Sequence, residues 1–317
     1  LGYEAFFRGT KTIRENRVKY QCNIPWLILF DPTSACNMHC VGCWAGEYGH
    51  KNNLSFDDMD KIVSQGKELG VYLYMLTGGE PLVRRGIVEL CRALRAIPGL
   101  RELCLTTNGS QLTALAAPLR DAGVDRLNIS LDTLHPEHFR AMTRTGSLED
   151  VLSGIQAAER AGFKQLKLDT VLIGGFNDNE IRPLAELTLT HPWEVRFIEL
   201  MPMGPCAGWD KECFLPADTV LARLPELKAL PPEGVARRFR LPGAVGTVGL
   251  IAPLSHEFCG NCRRIRVTAD GRLKGCLHSR EEISLRGLHG PALKDALRRG
   301  IFQKPRGHCL TEGPSGT

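Results

Sequence analysis

The sequence predicts an α/β fold: an incomplete (β/α)6 barrel of the TIM type, followed by a small C-terminal domain. Six short apolar runs rich in branched residues alternate with stretches of helical period, which is typical of a parallel sheet flanked by helices. Near residue 225 this alternation stops at a proline cluster, and too few residues remain for another set of such units. Periodicity alone leaves open whether the strands close partly into a barrel or stay open as a doubly wound sheet.

Each predicted strand is a short apolar run, and the six runs are residues 25–30, 71–76, 102–106, 126–130, 165–172 and 194–200. The predicted helices carry apolar residues at helical spacing, and they are residues 56–69, 86–96, 111–122, 148–161 and 178–187. A helix-like stretch and the proline cluster fill residues 215–232, and strand-like runs follow at 238–241 and 246–252. We therefore predict two domains, residues 1–225 and 226–317.

The composition is that of a soluble globular protein. Of 317 residues, 43% are hydrophobic and 24% are charged, which excludes the disordered and collagen-like classes. No apolar run is long enough to span a membrane, and residues 1–20 lack the pattern of a secretory signal, so we expect a cytoplasmic protein. The net charge is only +5 and no long Lys/Arg run occurs, which argues against a nucleic-acid partner. The oligomeric state leaves no signal in the sequence.

Twelve cysteines are too few for a disulfide scaffold and many for an ordinary cytosolic enzyme. Six of them form two tight groups, Cys36/Cys40/Cys43 and Cys259/Cys262/Cys276. The other six are scattered, and we expect them to be small buried hydrophobic residues: Cys22, Cys91, Cys104, Cys206, Cys213 and Cys309. The tight grouping indicates metal ligands and not disulfides.

The first cysteine group has the spacing Cys-x3-Cys-x2-Cys and directly follows the first predicted strand. Three thiolates can hold three irons of a 4Fe-4S cluster and leave the fourth iron open to a substrate or cofactor. A structural zinc site needs four ligands, and His39 is a poor fourth ligand because it lies inside the triad. We favour an iron-sulfur cluster, with zinc or unliganded core cysteines as the alternative.

A Thr-Gly-Gly-Glu-Pro-Leu motif, Thr77–Leu82, ends the second predicted strand. Paired glycines let the backbone approach a ligand closely, and the carboxylate of Glu80 can pair with an ammonium group. Alone, such a motif is more often a structural turn. Beside the cysteine loop, it predicts a binding site for an amino acid that chelates the open iron.

These two motifs together resemble those of the radical S-adenosylmethionine (radical SAM) superfamily, whose shared fold is a partial barrel. The resemblance implies that the amine and carboxylate of S-adenosylmethionine chelate the open iron. One electron from the cluster then cleaves the sulfonium, and the resulting 5'-deoxyadenosyl radical abstracts hydrogen from the substrate. Ligands of such folds collect at the carboxyl ends of the strands, where both motifs lie.

The second cysteine group, in the stretch FCGNCRRIRVTADGRLKGCL, again has three thiols and no obvious fourth ligand. A zinc ion completed by His256 or His278 is one interpretation. The stretch also carries five cations: Arg263, Arg264, Arg266, Arg272 and Lys274. Arg264 and Arg266 would share one face of a strand and suit a polyphosphate, although a solvated basic strand is the simpler alternative.

This stretch resembles the C-terminal part of the GTP 3',8-cyclases, radical enzymes of molybdenum cofactor (molybdopterin) biosynthesis. The resemblance continues back through TTNG, NISLDTL, KLDTVLIGGFNDNEI and RFIELMPMG, over roughly residues 100–310. It implies a second 4Fe-4S cluster with an open iron that binds the guanine of GTP, so the C-terminal domain is expected to be an iron-sulfur domain. It further implies the product (8S)-3',8-cyclo-7,8-dihydroguanosine 5'-triphosphate, formed by a bond between the ribose and C8 of the base.

Carried over by position, the resemblance assigns residues to both ligands. The expected S-adenosylmethionine set is Gly42, Gly78, Gly79, Glu80, Ser130 and Met201. The expected GTP set is Thr106, Lys167, Arg196, Arg264, Ile265 and Arg266, with Arg196 a neighbour of either ligand. The alternatives are that Ser130 and Thr106 merely end strands, that Met201 belongs to the core, and that Lys167 is a surface lysine.

The first hundred residues depart from the cyclase pattern. The cyclases usually have arginines that contact GTP where this chain has Leu29 and Met75, and the front segment resembles another radical SAM subgroup. Each lost charge-assisted contact typically costs about 1.5 to 3 kcal/mol of binding free energy. The alternative functions are therefore a radical SAM enzyme acting on a peptide or small metabolite, and a non-catalytic zinc-stabilised binding module. Expected partners are GTP, an electron donor (a reductant protein, or dithionite in its place) and the next pathway enzyme, cyclic pyranopterin monophosphate synthase.

Overall fold

The computed structural model of the chain describes residues 11–16, 18–19, 25, 27–49, 51–259, 262, 264–279, 281–305, 307–308 and 310. Of the scattered cysteines, Cys22 and Cys309 lie outside the described residues, as does Arg263 of the basic stretch. No described helix combines the length and the apolar character that crossing a membrane requires.

One mixed sheet organises the fold. Its strands are β1 (Leu27–Phe30), β2 (Leu73–Leu76), β3 (Glu102–Thr107), β4 (Arg126–Ser130), β5 (Leu166–Leu172), β6 (Glu194–Glu199), β7 (Lys228–Glu233), β8 (Ala236–Arg240), β9 (Thr247–Ile251), β10 (Arg264–Val267), β11 (Arg272–Lys274) and β12 (Ile283–Ser284). They lie side by side in the order β12-β11-β10-β1-β2-β3-β4-β5-β6-β9-β8-β7.

The helices that follow or flank these strands are α1 (Phe56–Leu69), α2 (Ile87–Ala96), α3 (Leu112–Asp121), α4 (Pro136–Thr143), α5 (Leu148–Arg160), α6 (Ile181–Thr190), α7 (Asp218–Arg223) and α8 (Gly290–Phe302). All six predicted strands and all five predicted helices are present, with ends that differ by a few residues. Two helices were not predicted: α4, which begins with proline in its first turn and has only eight residues, and α8 near the C-terminal end.

Strands β1 to β6 are parallel and adjacent in chain order. A doubly wound sheet would reverse its strand order at a switch point, and no reversal occurs among these six strands. The partial-barrel prediction is therefore confirmed, and the doubly wound alternative is wrong.

The C-terminal strands extend this sheet at both of its edges. Strand β9 pairs in parallel with β6, and β10 pairs in parallel with β1. Antiparallel ribbons then continue outward, β8 and β7 beyond β9, and β11 and β12 beyond β10. The two strand-like runs predicted after residue 232 correspond to β8 and β9. Strand β7 was missed because Pro231 and Pro232 cannot donate to a ladder, which an outermost strand tolerates.

The two faces of the parallel strands differ in chemistry. On the outer face, residues such as Leu127, Ile129 and Leu168 are fully buried and belong to the main hydrophobic core. On the inner face, charged and polar residues alternate with them: Glu102, Arg126, Asn128, Lys167, Asp169, Glu194 and Arg196. A charged inner face is unusual for a barrel packed only for stability, and it identifies the interior as the place for a polar ligand.

Candidate active site

The first cysteine group lies in the loop after β1. The backbone NH groups of His39 and Val41 donate to the carbonyls of Thr143 and Met142, at 3.1 and 2.8 Å, so the end of α4 holds the loop in place. The thiols of Cys36, Cys40 and Cys43 are all unpaired and half-buried.

Two of the three thiols have a raised pKa. Burial is the largest cause for Cys36 and for Cys40, whose pKa is raised to about 12, and neighbouring thiols of the group contribute in the same direction. Thiols that oppose each other's ionisation suit a polycationic group that neutralises their charge. The backbone NH of Met38 also donates to the Cys36 sulfur at 3.4 Å, which favours a thiolate there. The donor set therefore fits an iron-sulfur cluster.

The glycine pair packs against the segment that leads to these cysteines. Gly78 and Gly79 have φ values of 72° and 52°, in the left-handed region that favours glycine. A Cβ on Gly79 would lie 2.5 Å from the carbonyl oxygen of Ala35, and one on Gly78 would lie 2.3 Å from Asp31. The backbone NH of Glu80 donates to the same Ala35 carbonyl at 2.7 Å. The glycines thus allow the close approach of two loops.

Three donors of the protein chain hold the side chain of Glu80. Its carboxylate is 1% exposed and accepts hydrogen bonds from the Leu82 NH at 2.9 Å, the Thr107 hydroxyl at 2.7 Å and the Asn108 NH at 2.6 Å. Burial raises its pKa to about 6 against these bonds. The side chain therefore connects the loops after β2 and β3, and its expected contact with an ammonium group stays a prediction.

The remaining residues expected at S-adenosylmethionine lie on the same rim. Ser130 is exposed at the end of β4, and Met201 is half-buried just after β6. Gly42 has a φ of 79°, its carbonyl accepts from the Cys206 thiol at 3.2 Å, and a Cβ would lie 2.5 Å from that sulfur. Because the carboxyl ends of parallel strands share one rim, these residues lie on the same rim as the first cysteine loop.

Lys167 and Arg196 form a charged network on the inner face. The Lys167 ammonium lies 2.9 Å from Glu194, and the Arg196 guanidinium lies 3.0 Å from Glu194 and 3.4 Å from Asp169. Lys167 is only 7% exposed, so the surface-lysine alternative is wrong. Burial, and then the charge of Arg196, lowers the pKa of Lys167. Thr106, in the same layer, donates to the Met75 sulfur at 3.5 Å.

The arginine pair lies on β10 as predicted, but Arg264 and Arg266 differ in burial and in their contacts. Arg266 is 8% exposed, forms an ion pair with Asp31 and lies 4.7 Å over the ring of Trp44, so it is no solvated surface residue. Burial raises the pKa of Asp31 to about 6 although Arg266 opposes the shift. Arg264 is half-buried over the Phe258 ring, at 5.4 Å.

Ile265 and the two positions that depart from the cyclase pattern, Leu29 and Met75, lie on the same part of the sheet as Arg266. The Ile265 side chain belongs to the core, so a ligand contact there would come from its backbone. In register, Leu29 pairs with Arg266 on one side and with Met75 on the other. The two lost arginines therefore fall in one row beside Arg266.

In the second cysteine group, all three thiols are unpaired and half-buried. Burial raises the pKa of Cys259, and Cys276 and Cys262 add to the shift. For Cys262, burial acts in the same direction, but the charges of Arg264 and Lys304 outweigh it and lower the pKa. The Lys304 ammonium lies 3.3 Å from the Cys262 sulfur. A thiol triad with a cation beside it suits thiolate ligands of a cluster.

Sequence reasoning missed His308, a candidate fourth ligand near this group. Single ligand atoms of Glu257, Cys259 and His308 lie within 4.8 Å of one another, although His308 also bonds the Pro253 carbonyl at 2.6 Å. No spacing rule points to a histidine so far along the chain from Cys276. Of the two candidates from the sequence, His256 instead contacts Asp218 at 2.8 Å, and the His278 ring lies beside that of His308, with centroids 6.0 Å apart. The zinc alternative therefore stays open with a different histidine.

The two cysteine groups lie at opposite ends of the barrel interior. Cys36 follows the carboxyl end of β1, whereas Cys262 precedes the amino end of β10, which runs parallel to β1. Cys276 follows β11, which runs back antiparallel to β10 and returns to that amino end. Four strand residues span roughly 13 Å, and the charged inner face of the sheet lies between the two groups.

The scattered cysteines are consistent with core positions where they are described. Cys91, Cys104 and Cys206 are buried, and Cys213 is half-buried. Burial raises the pKa of Cys91 and that of Cys104 to about 12, which keeps both thiols protonated. Cys91 thus behaves as a small hydrophobic residue, whereas Cys104 donates to Glu102 at 3.3 Å and accepts from Arg126 at 3.0 Å, and Cys206 donates to the Gly42 carbonyl.

Comparison with known proteins gives matches over both parts of the chain. Residues 30–188 match the family model described as the radical SAM superfamily, and residues 193–310 match the one described as Molybdenum Cofactor Synthesis C. A GTP 3',8-cyclase of Peptoclostridium acidaminophilum is 44% identical over 89% of this chain and 90% of its own length. A GTP 3',8-cyclase of Pseudomonas entomophila is 44% identical over 89% of both chains. This coverage is wider than residues 100–310, so the likeness continues into the first hundred residues.

Among solved structures, Streptococcus suis SuiB bound to precursor peptide SuiA matches with a TM-score of 0.64. The match covers 98% of this chain and 78% of that one at 14% identity. A radical SAM methyltransferase from Sphaerobacter thermophilus matches with a TM-score of 0.51 over 62% of this chain and 61% of that one, at 17% identity. At such low identity these structures show a shared fold alone.

Proposed function

Since this chain belongs to the radical SAM superfamily and to its GTP 3',8-cyclase family, we propose that it cyclises GTP to (8S)-3',8-cyclo-7,8-dihydroguanosine 5'-triphosphate in molybdenum cofactor biosynthesis. One observation carries the proposal beyond the family name. Two cysteine triads lie at opposite ends of an interior lined with charged residues. A nucleotide between them would meet a radical source at one end and a base-binding group at the other.

Radical SAM proteins use S-adenosylmethionine and a 4Fe-4S cluster, and Cys36, Cys40 and Cys43 would hold that cluster here. When bound, this pair supplies a one-electron cleavage of the sulfonium that yields a hydrogen-abstracting 5'-deoxyadenosyl radical. We assign S-adenosylmethionine to the rim formed by Gly42, Gly78, Gly79, Glu80, Ser130 and Met201. Within that set, Glu80 acts by holding the turn and the neighbouring loop in position.

We assign GTP to the interior and to the second triad. Cys259, Cys262 and Cys276 would hold a second 4Fe-4S cluster, and the residues proposed to contact the nucleotide are Thr106, Lys167, Arg196, Arg264, Ile265 and Arg266. Lys167 and Arg196 share carboxylates within the network, which fixes both cations in place before the substrate arrives. Because Arg266 is paired with Asp31, its net attraction for a triphosphate is reduced, and Arg264 becomes the stronger contact.

A second candidate is a radical SAM reaction on a peptide or another small metabolite. The row of Leu29 and Met75 beside Arg266 favours it, because that part of the interior is less cationic than the cyclase pattern expects. For either reaction we propose a cytoplasmic location and a reductant protein as electron donor, with dithionite as its substitute in vitro. For the cyclase reaction, the partner would be cyclic pyranopterin monophosphate synthase, the enzyme that acts next.

The test is anaerobic reconstitution, followed by counts of iron, sulfide and zinc and by incubation with dithionite, S-adenosylmethionine and GTP. We expect two clusters of about four irons each, and a release of 5'-deoxyadenosine that depends on GTP. Release without consumption of GTP would favour the second candidate. Bound zinc with little iron would exclude both enzymes and favour the zinc-stabilised module.

A further inference from the structure

Asn128 is a buried polar residue that the site assignments leave unexplained. It lies in the middle of β4, where Leu127 and Ile129 on either side belong to the hydrophobic core. Strand alternation therefore places Asn128 on the inner face with Arg126 and Ser130. The residue is 5% exposed, and its Oδ1 atom has no hydrogen-bond partner among the described residues.

Such an amide is an exception within this fold. Asn177 is also buried, yet its Oδ1 accepts from the Ile173 NH at 2.9 Å, and its Nδ2 donates to the carbonyls of Asp132 and Val171 at 2.7 and 2.8 Å. Buried polar atoms in native proteins are nearly always paired, because leaving one unpaired costs the free energy of desolvation. An unpaired amide in the interior thus indicates a partner that the protein chain does not supply.

The position of Asn128 says where that partner would be. In register, Asn128 pairs with Thr106 on β3 and with Lys167 on β5. It lies two residues, roughly 7 Å along the strand, below Ser130 on the rim. Asn128 is therefore in the layer between the two cysteine groups, within the region proposed for the nucleotide.

The residues around Asn128 indicate which kind of ligand group its amide would bind. Lys167 is already paired with Glu194 at 2.9 Å, and Glu194 also contacts Arg196, so charge in this layer is largely balanced. A neutral amide offers one acceptor and two donors from the same end of the side chain. A hydroxyl group both donates and accepts, and it matches such an amide better than a phosphate, which only accepts.

We propose that the side-chain amide of Asn128 binds a ribose hydroxyl of the nucleotide substrate and so orients the sugar between the two cysteine groups. This inference rests on the proposed function, because it requires that a nucleotide occupies the interior. It adds a substrate-binding residue that the sequence resemblance does not assign. A bound water in place of the hydroxyl is the competing explanation for the amide.

The experiment compares Asn128→Leu with Asn177→Leu as a matched control, both reconstituted anaerobically. Equilibrium dialysis measures binding of GTP, 2'-deoxy-GTP and 3'-deoxy-GTP without reductant, and thermal unfolding measures stability. We expect Asn128→Leu to bind GTP about tenfold more weakly than the wild type, equivalent to about 1.4 kcal/mol. The wild type should bind one deoxy analogue about tenfold more weakly than GTP, and Asn128→Leu should not distinguish that analogue from GTP.

The unfolding temperature distinguishes a substrate-binding role of Asn128 from a structural one, because the loss of a structural residue would lower it. Asn128→Leu should unfold at the wild-type temperature or above it, because it removes an unpaired polar atom, whereas Asn177→Leu should unfold well below it. Asn128→Ala, which adds no bulk, is measured beside them and should show the same loss of GTP affinity. Unchanged GTP binding by both Asn128 variants, or a loss of stability like that of Asn177→Leu, would overturn the inference. A wild type that binds no GTP would overturn the proposed function as well.

Discussion

At the residue scale, the proposed function gives the two cysteine groups separate tasks. Cys40 belongs to the group beside the glycine turn, and Cys276 belongs to the group at the other end of the interior. We expect Cys40→Ala to abolish cleavage of S-adenosylmethionine, and Cys276→Ala to leave cleavage detectable while about half of the iron is lost. Chromatography of 5'-deoxyadenosine and iron analysis measure both effects. Cys91→Ala, a buried cysteine outside both groups, is the control that keeps full iron, and equal loss of cleavage in the two ligand variants would contradict the division.

The buried carboxylate of Glu80 makes stability depend on pH. Burial raises its pKa from 4.5 to about 6, so between these values the folded protein keeps a proton that the unfolded chain releases. The free energy of unfolding should therefore fall by about 2 kcal/mol as pH rises through this window, and level off above it. Glu80→Gln has no titrating group and loses one acceptor, so we expect it to be less stable than the wild type at pH 4.5.

That difference in stability should narrow by about 2 kcal/mol towards pH 7. Urea unfolding of the metal-free proteins at a series of pH values measures it. Asp31, whose pKa burial also raises, is present in both proteins and cancels from the comparison. If the free energy of unfolding changed with pH in the same way for the wild type and Glu80→Gln, Glu80 would not be the group responsible for the pH dependence.

At the element scale, the glycine turn after β2 positions the cysteine loop. We expect Gly79→Ala to lower the iron content and to shift thermal unfolding down by several degrees, because its Cβ would meet the Ala35 carbonyl at 2.5 Å. Gly162→Ala is the matched control, since its φ of 86° is also left-handed but no atom lies within 4 Å of the added Cβ. Gly162→Ala therefore introduces backbone strain without a steric clash. If both variants retained iron equally, the packing of the turn against the loop would not matter for the site.

Elements with a strong local signal were predictable from the sequence. Helix α1 begins and ends at the predicted residues, because Ser55 caps its start and Gly70 adopts the left-handed conformation at its end. Elements that depend on contacts with distant parts of the chain could not be predicted from the sequence. Strand β7 contains two prolines and exists only as the outermost strand beside β8, and α4 is short enough that its place against the cysteine loop decides it.

At the scale of the whole molecule, the proposed domains of residues 1–225 and 226–317 share one sheet. A fragment of residues 1–225 would expose the edge of β6 that β9 covers and the edge of β1 that β10 covers. Exposed edges of parallel strands invite aggregation. We expect this fragment to be poorly soluble and to lack a cooperative thermal transition, as measured by soluble yield and circular dichroism. Cooperative unfolding like that of the whole chain would show that the first domain folds alone.

The sequence by itself determined the alternation of strands and helices and the residues of both cysteine groups, because periodicity and close spacing are local properties. The partial barrel was implied by the family resemblance, and the strand order of the structure decided it. Only the tertiary structure decided that β9 and β10 join the barrel, that Asp31 pairs with Arg266, and that Glu80 fastens two loops. Each of these depends on contacts between residues far apart in the chain. Burial and hydrogen bonding set the pairing of a charged side chain, and neither is encoded in the residues next to it.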